Sequence, residues 1–193
     1  MRIMISTLIG TVGTAAVLAA AAPFIMSKTT AVAPDVQPIE VQPYVPTWKC
    51  IDCSPAEQYV LEQLQEHTKI TDRNALATIL GNIKSESNFH SNICEGGARV
   101  PYGDCHRGGY GLIQWTSINR YNNLGKFCNK YGCDPSSLEG QTRYMINENI
   151  FQRYLPMFEG GGQMVPAYYW LGWGIKGHRE TYAYQYTKRM VLA

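Results

Sequence analysis

Two short stretches contain residues whose types and spacing fit chemistry on a sugar polymer. The first, residues 81–89 (GNIKSESNF), places the carboxylate of Glu86 near the end of an amphipathic helix pattern. The second, residues 108–115 (GGYGLIQW), is rich in glycine and aromatic residues. Glycines let a backbone approach a ligand closely, and aromatic side chains offer flat apolar faces to sugar rings. Together the two stretches predict cleavage of a glycan.

Glu86 is the candidate general acid because of its place on the predicted helix. The apolar stripe of that helix consists of Leu76, Ile79, Leu80 and Ile83. At 100° per residue, Glu86 lies about 65° from the centre of this stripe, so its side chain is expected to be half-buried. Partial burial favours the protonated form of a carboxyl group, which glycoside cleavage needs near neutral pH. A single glutamate at a helix end is more often a surface residue, so the catalytic interpretation also depends on the second stretch.

Residues 108–115, called the binding strip below, are the predicted substrate-binding segment. Gly111 lies among glycines that allow close backbone approach, and Tyr110 and Trp115 are expected to offer ring faces to sugars. Gln114 has both a donor and an acceptor in its side chain. Alone, this strip is more often a glycine-rich turn before a buried segment; together with Glu86 it favours glycan binding.

The elements that must position these residues are mostly helices. Apolar spacing and capping residues predict helices over 55–66, from 71 or 72 to 86, and over 119–131. Two further helical segments are expected within 135–154. Residues 163–192 are expected to hold an apolar helix, a glycine-rich break at 172–177, and a final helix that includes Met190. Residues 88–111 are predicted to form a long loop or short β-hairpin region, so the fold class is mainly α with at most a small sheet.

Six cysteines predict disulfides in a chain that carries export signals. Local pairing is the expected arrangement: Cys50 with Cys53, Cys94 with Cys105, and Cys128 with Cys133. Zinc is the alternative for the first pair, because Cys50 and Cys53 have ligand spacing. No second pair with that spacing follows, so neither a metal site nor a cofactor is predicted.

The N-terminal part of the chain is predicted to direct export. Residues 1–28 have a basic start and an apolar stretch over 3–26, which fits a cleaved signal peptide or a signal anchor and membrane association through 3–26. Residues 29–46 form a Pro-rich linker. Residues 47–193 are left as a single domain of ordinary size. This organisation places the domain in the periplasm or cell envelope, either free or anchored to the membrane.

The charge balance excludes one class of partner. The chain has a net charge of +2 and a pI near 8.2, and its basic residues are scattered. Nucleic-acid binding is therefore not expected. A cysteine amidase is disfavoured as well, because disulfides would remove the thiol that such an enzyme uses as its nucleophile.

Several blocks of the chain resemble a known family, that of the phage tail lysozymes. The matching blocks, in order, are residues 80–89, residues 109–116, Arg120 with Leu124 and Phe127, residues 141–148, and Arg179 with Ala183. They cover most of residues 72–187, and the first two blocks are the specific ones. The same elements look like those of goose-type lysozymes and soluble lytic transglycosylases. The resemblance implies a lysozyme-like α+β fold, peptidoglycan as substrate, and cleavage between N-acetylmuramic acid and N-acetylglucosamine.

The resemblance also implies roles for individual residues. Glu86 matches the catalytic acid, Ser87 the serine beside it, and residues 110–114 the glycan-binding segment. The chain departs from the family pattern in its cysteine-bearing loop and its export-like N-terminus. A lysin is therefore expected, with a virion-associated tail lysozyme as the alternative.

The mechanism depends on a second group that sequence does not identify. A hydrolase needs a second carboxylate or a positioned water on the opposite sugar face. The candidates for the carboxylate are Glu95, Asp104, Glu148 and Glu180. A lytic transglycosylase instead uses one carboxyl group as acid and then base. Muramidase hydrolysis is the preferred prediction, transglycosylation is the alternative, and a non-catalytic wall-binding or virion structural module is the second function class.

Overall fold

The computed structural model describes residues 45–106, 108–161 and 178–193. These residues belong to one unit of the chain, which spans Pro43–Ala193. Within the described ranges, no helix combines the length and the apolar character needed to cross a membrane.

Several elements predicted from the sequence lie outside the residues that the structure describes. The predicted signal segment 1–28 and nearly all of the Pro-rich linker lie outside the described residues, as do the apolar helix expected after residue 163 and the break at 172–177. The proposed boundary at residue 47 stays a prediction.

The fold is mainly helical, with one small sheet in the described residues, as predicted from the sequence. The helices are α1 (Pro55–His67), α2 (Arg73–Ser87), α3 (Ile118–Tyr131), α4 (Leu138–Asn147), α5 (Asn149–Gly160) and α6 (His178–Arg189). The strands are β1 (Trp48–Cys50) and β2 (Met190–Leu192), which pair antiparallel. A short 3-10 turn covers Tyr102–Asp104 within the long loop between α2 and α3.

Four helices begin at a side chain that caps the first turn. The hydroxyl of Ser54 accepts from the backbone N–H of Glu57, and the Glu57 carboxylate accepts from the backbone N–H of Ser54. Asp72, Ser117 and Ser137 each accept a backbone N–H three residues further on. These caps satisfy donors that a helix start leaves without partners. The predicted starts of α1 and α2 are therefore confirmed.

α2 is buried on most of its surface and supports the end at which Glu86 lies. The four stripe residues predicted from the sequence are all fully buried. Ala77 and Asn82, which lie on other faces, are fully buried as well. The helix packs against α1, α5 and α6. Burying one Leu or Ile side chain stabilises a fold by about 1.5–3 kcal/mol, so this helix is firmly held.

α6 crosses α2 at Gly81, where the two backbones come close together. A Cβ atom on Gly81 would lie 2.7 Å from the backbone nitrogen of Ala183 and 2.9 Å from its Cα. A side chain at this position therefore requires α6 to move. Glycine inside a helix costs about 1 kcal/mol relative to alanine, and close packing offsets that cost here. Gly81 thus sets the distance between the two helices.

A buried carboxylate, Glu57, links α1, α2 and α6. Its Oε1 atom is 2.9 Å from Nζ of Lys84 and accepts a hydrogen bond from the hydroxyl of Tyr186. Burial alone would raise the pKa of Glu57. Hydrogen bonds from Tyr186, Lys84 and Ser54 outweigh burial and lower the pKa to about 2. The three helices are therefore joined through a carboxylate that is charged at neutral pH.

The C-terminal segment differs from the sequence-based prediction. The final helix was expected to include Met190, but α6 ends at Arg189 and Met190 begins β2. Trp48 pairs with Leu192, and Cys50 pairs with Met190. The strand forms because β1 supplies hydrogen-bond partners from a distant part of the chain. A local apolar pattern cannot reveal such a partner.

The six cysteines form three local disulfides. The bonds join Cys50 to Cys53, Cys94 to Cys105, and Cys128 to Cys133, so the partners are 3, 11 and 5 positions apart. The pairing predicted from the sequence is confirmed. Because Cys50 and Cys53 are bonded to each other, they are not the zinc ligands considered as an alternative.

Candidate active site

Glu86 lies in the last turn of α2, two residues before its C-cap. Its side chain is partly buried, with 13% of its surface exposed. This intermediate exposure agrees with a position at the edge of the apolar stripe. The carboxylate is therefore reachable from solvent while most of its surroundings are protein.

A tight turn follows Glu86 and directs the chain back into the core. Asn88 and Phe89 both adopt positive φ angles, of 51° and 61°. Such angles are uncommon for residues other than glycine. Phe89 is buried and packs edge-on against Tyr186, with ring centroids 6.4 Å apart. At the end of the turn, burial, together with the charges of Arg99 and Lys84, lowers the pKa of His90.

Ser87 joins the two stretches that the sequence singles out. Its hydroxyl donates to the carbonyl oxygen of Leu112 at 2.8 Å and approaches that of Ile83 at 3.2 Å. The side chain is only 3% exposed, so this link is made inside the protein. The end of α2 that carries Glu86 is therefore fastened directly to the binding strip.

The binding strip is also held by the segment that follows the turn. The N–H of Gly111 donates to the carbonyl of Ile93, and the N–H of Glu95 donates to the carbonyl of Gly109, both at 2.8 Å. These bonds resemble a short antiparallel ladder. The Cys94–Cys105 disulfide closes the loop between this segment and the strip, so the two are held close together on either side of it.

Gln141 is a further residue of the candidate site, and its place at the start of the matching block 141–148 was the available signal. It is fully buried in α4, and its Oε1 accepts from the N–H of Leu112 at 2.8 Å. Its amide nitrogen donates to the carbonyls of Ser91 and Pro135, both at 2.7 Å. A Cβ on Gly111, whose φ is 72°, would lie 2.2 Å from Oε1 of Gln141. Glycine is therefore required at this position so that the amide can reach the strip.

Gln114 turns its side chain onto its own loop. Its φ angle is 51°, and its amide nitrogen donates to the carbonyl of Gly111 at 3.0 Å and approaches that of Ile93 at 3.4 Å. The side chain is half-buried. The amide donor expected to face a sugar therefore stabilises the strip.

Tyr110 and Trp115 differ from the expectation that their rings offer faces to a sugar. Both side chains are fully buried. The hydroxyl of Tyr110 donates to the carbonyl of Val100 at 3.0 Å, and Nε1 of Trp115 donates to Glu148 at 3.2 Å. The turn of the strip points both rings into the core. In this arrangement neither ring is open to a ligand from solvent, and of the glycines in the strip only Gly108 is exposed.

Glu148 is placed unlike a free catalytic carboxylate. It is 7% exposed, and Arg120 binds both of its oxygens, with Nε 2.6 Å from Oε1 and Nη2 2.7 Å from Oε2. With the indole of Trp115, three donors occupy its oxygens. This geometry is typical of a structural ion pair.

The other three candidate carboxylates lie in different places. Glu95 is on the segment beside the strip, and its Oε2 accepts from the N–H of Gly109 at 2.9 Å. Asp104 is exposed at the end of the 3-10 turn. Glu180 lies in the first turn of α6. The choice of a second catalytic group among the four candidates stays a prediction.

Arg179 is a site residue whose role the sequence did not reveal. It lies in the first turn of α6, and its guanidinium donates to Oε1 of Glu86. The side chain of Arg179 is 23% exposed. The close approach of α6 at Gly81 brings Arg179 within reach. Its place in the matching blocks, four residues before Ala183, was the available signal.

The fold and the site define a class of protein. A mainly helical domain that presents a carboxylate at a helix end beside a glycine-rich strip is lysozyme-like. The phage tail lysozyme family model matches residues 56–158, just over half of the 193-residue chain. The chain belongs to the phage tail lysozyme family, as its motifs indicated. No curated protein matches the chain.

Membership in this family defines the general activity. The protein is a peptidoglycan-degrading enzyme of the lysozyme type, either a glycosidase or a lytic transglycosylase. The family and the three disulfides fit an exported or virion-associated protein. α6, which supplies Arg179, lies beyond the matched residues.

Proposed function

We propose that the protein is a muramidase that hydrolyses the bond between N-acetylmuramic acid and N-acetylglucosamine, with Glu86 as general acid. The observation that supports this most directly is the bond from Ser87 to Leu112, 2.8 Å long, which holds the Glu86 turn of α2 against the binding strip. Family membership supplies peptidoglycan as the substrate. Export to the periplasm or cell envelope, whether through a cleaved signal or an anchor over residues 3–26, is part of the proposal.

In this mechanism Glu86 gives its proton to the glycosidic oxygen as the bond to the sugar breaks. Arg179 holds Oε1, so Oε2 is the oxygen that is proposed to deliver the proton to the leaving group. Of the strip residues, the exposed Gly108 and the half-buried Gln114 are the ones that a glycan can approach. A water molecule then attacks the oxocarbenium-like sugar from the other face, activated by Glu95, Asp104 or Glu180 or held without a carboxylate.

The test replaces Glu86 with Gln, which keeps the size of the side chain and removes the acid. Clearing of purified peptidoglycan is expected to fall by about 10²–10⁴-fold, the usual contribution of a general acid. Glu139→Gln, a change at a well-exposed glutamate of α4, is the matched control and is expected to clear at the wild-type rate. A wild-type protein that does not clear peptidoglycan, or a fully active Glu86→Gln variant, contradicts the proposal. The first result favours the non-catalytic wall-binding module.

A lytic transglycosylase is the second candidate, and one observation favours it. Glu148 is bound by Arg120, which leaves fewer carboxylates for a hydrolase to use. A transglycosylase needs only Glu86, acting first as acid and then as base, with the 6-hydroxyl of the sugar as nucleophile. Mass spectrometry of the products decides between the two: reducing ends identify the hydrolase, and 1,6-anhydro ends identify the transglycosylase.

A further inference from the structure

A groove formed by α3, α4 and α5 carries residues that the proposed mechanism does not use. Its volume is about 520 Å³, within the range of roughly 300–1,000 Å³ typical of ligand sites. The residues that line this α3–α5 groove include Arg120, Lys126, Phe127, Lys130, Tyr131 and Arg153. Glu86, Ser87 and the binding strip are not among the described residues that line it.

Positive charge is concentrated in this groove. Lys126, Lys130 and Arg153 are exposed, and the described parts of the chain give none of the three an ion pair. With Arg120 and the one lining carboxylate, Glu148, the groove has an excess of three positive charges. The whole chain has a net charge of only +2. The groove therefore favours an anionic ligand.

Aromatic rings connect the wall of the groove to the core. Trp115 packs on Tyr144 with centroids 5.3 Å apart, and Tyr144 packs on Phe127 at 5.4 Å. Phe127 in turn contacts Tyr131 at 4.7 Å, and the side chain of Tyr131 is 49% exposed. Nζ of Lys130 lies 4.8 Å from the Tyr131 ring centroid. An exposed ring fixed in this way, with a cation beside it, suits a sugar ring that has a carboxylate close to it in the same polymer.

The first turn of α5 adds polar groups at one end of the groove. Asn149 and Ile150 of this turn line it, together with Asn147 at the end of α4. No side chain caps α5, because the carboxylate of its N-cap residue, Glu148, is bound to Arg120. The amide side chains match the hydrogen-bonding groups of an N-acetyl sugar, and the helix start favours negative charge.

We propose that the α3–α5 groove binds a second segment of peptidoglycan, through the carboxylates of its stem peptides and the faces of its sugar rings. The enzyme then stays on the insoluble wall while Glu86 acts on another segment. The inference rests on peptidoglycan as the substrate in the proposed function, and it does not depend on the role of Glu86.

The experiment compares two triple variants of the full chain. Lys126→Gln/Lys130→Gln/Tyr131→Ala alters the groove. Lys69→Gln/Lys188→Gln/Tyr184→Ala makes the same chemical changes at exposed positions elsewhere. Affinity is measured by co-sedimentation on ice with insoluble peptidoglycan that has been stripped of wall-linked phosphate polymers. Circular dichroism checks that both variants are folded.

The groove variant is expected to bind about tenfold more weakly than wild type, while the control variant binds like wild type. Turnover of a short soluble glycan fragment is expected to be the same in all three proteins. Amidation of the stem-peptide carboxylates is expected to reduce wild-type binding to the level of the groove variant.

Equal binding by the two triple variants overturns the inference, and so does wild-type binding that is unaffected by amidation. Binding that requires the phosphate polymers also overturns it, in favour of those polymers as the ligand. The same measurements on Glu86→Gln separate the two proposals. A fully active Glu86→Gln variant contradicts the proposed mechanism but does not change the expected difference in wall binding between the groove variant and the control variant.

Discussion

The guanidinium of Arg179 is bonded to the carboxylate of Glu86, a residue 93 positions earlier in the chain. The contact follows from how α6 lies on α2. Arg179 comes one helical turn before Ala183, and Ala183 lies against Gly81, just over one turn before Glu86. The position of the candidate acid is therefore set by helix packing as well as by its own helix.

Replacing Arg179 with Gln is expected to lower peptidoglycan clearing by about 10- to 100-fold, because a misplaced catalytic group loses its geometry with the substrate. Arg179→Lys, which keeps the charge, is expected to restore part of the rate. Initial rates of turbidity loss measure both. Arg143→Gln, at a partly exposed arginine of α4, is the control. Wild-type rates in Arg179→Gln would show that the ion pair has no part in catalysis.

Ser87→Ala is expected to loosen the link between α2 and the binding strip. The substitution leaves the buried carbonyl of Leu112 without this donor, at a cost of about 1–3 kcal/mol in the free energy of unfolding. Chemical denaturation measures the stability change, and peptidoglycan clearing measures the accompanying loss of rate. Ser85→Ala, two residues earlier on the same helix, is expected to change neither. Equal stability of the two variants would contradict the proposed link.

Gly81→Ala tests whether close packing of α6 positions the site. The added Cβ meets the backbone of Ala183 at 2.7 Å, so α6 must shift. Overpacking of this kind costs about 1–3 kcal/mol, and the better helix propensity of alanine returns about 1 kcal/mol of that. A reduced melting temperature and slower clearing are expected. Gly160→Ala is the control, because no atom lies within 4 Å of a Cβ there; identical behaviour of the two variants would argue against the packing role.

The pKa of Glu57 predicts how stability depends on pH. The pKa falls from 4.5 to about 2 on folding. A carboxyl group with a lowered folded-state pKa stabilises the fold above its unfolded value, and this contribution is lost as the pH falls from 4.5 toward 2. The loss is on the order of 3 kcal/mol.

Urea unfolding at a series of pH values measures this dependence. Glu57→Gln is expected to be less stable at neutral pH and to show a flatter fall in stability over the same window. Glu62→Gln, at an exposed glutamate of the same helix, is expected to follow the wild-type curve. A Glu57→Gln curve parallel to that of the wild type would show that Glu57 does not carry this dependence.

Features that depend on neighbouring residues were predictable from the sequence. Ser54 and Asp72 cap their helices, and the apolar stripe of α2 is buried, because caps and helical periodicity are local properties. The disulfide pairing was predictable for the same reason, since each cysteine pairs with one close to it in the chain. The partly buried position of Glu86 came directly from its angle to the stripe.

Features that depend on distant residues were not predictable. The amide of Gln141 reaches the strip only because α4 packs beneath it, and Met190 forms a strand only because β1 lies alongside. The rings of Tyr110 and Trp115 were expected to face a ligand, yet they point inward. Their direction depends on the backbone angles of the turn at Gly111 and Gln114. In a segment without regularly spaced apolar residues, the sequence does not show which side chains face the core.

The short spacing of the disulfide partners bears on how the enzyme matures. With partners 3, 11 and 5 positions apart, each bond can close while the chain is still unfolded, because a short flexible loop costs little entropy to form. Wrong pairs between the three segments join cysteines at least 23 positions apart, so they require longer loops. Oxidation segment by segment, as the polypeptide emerges into an oxidising compartment, is therefore the favoured order of pairing.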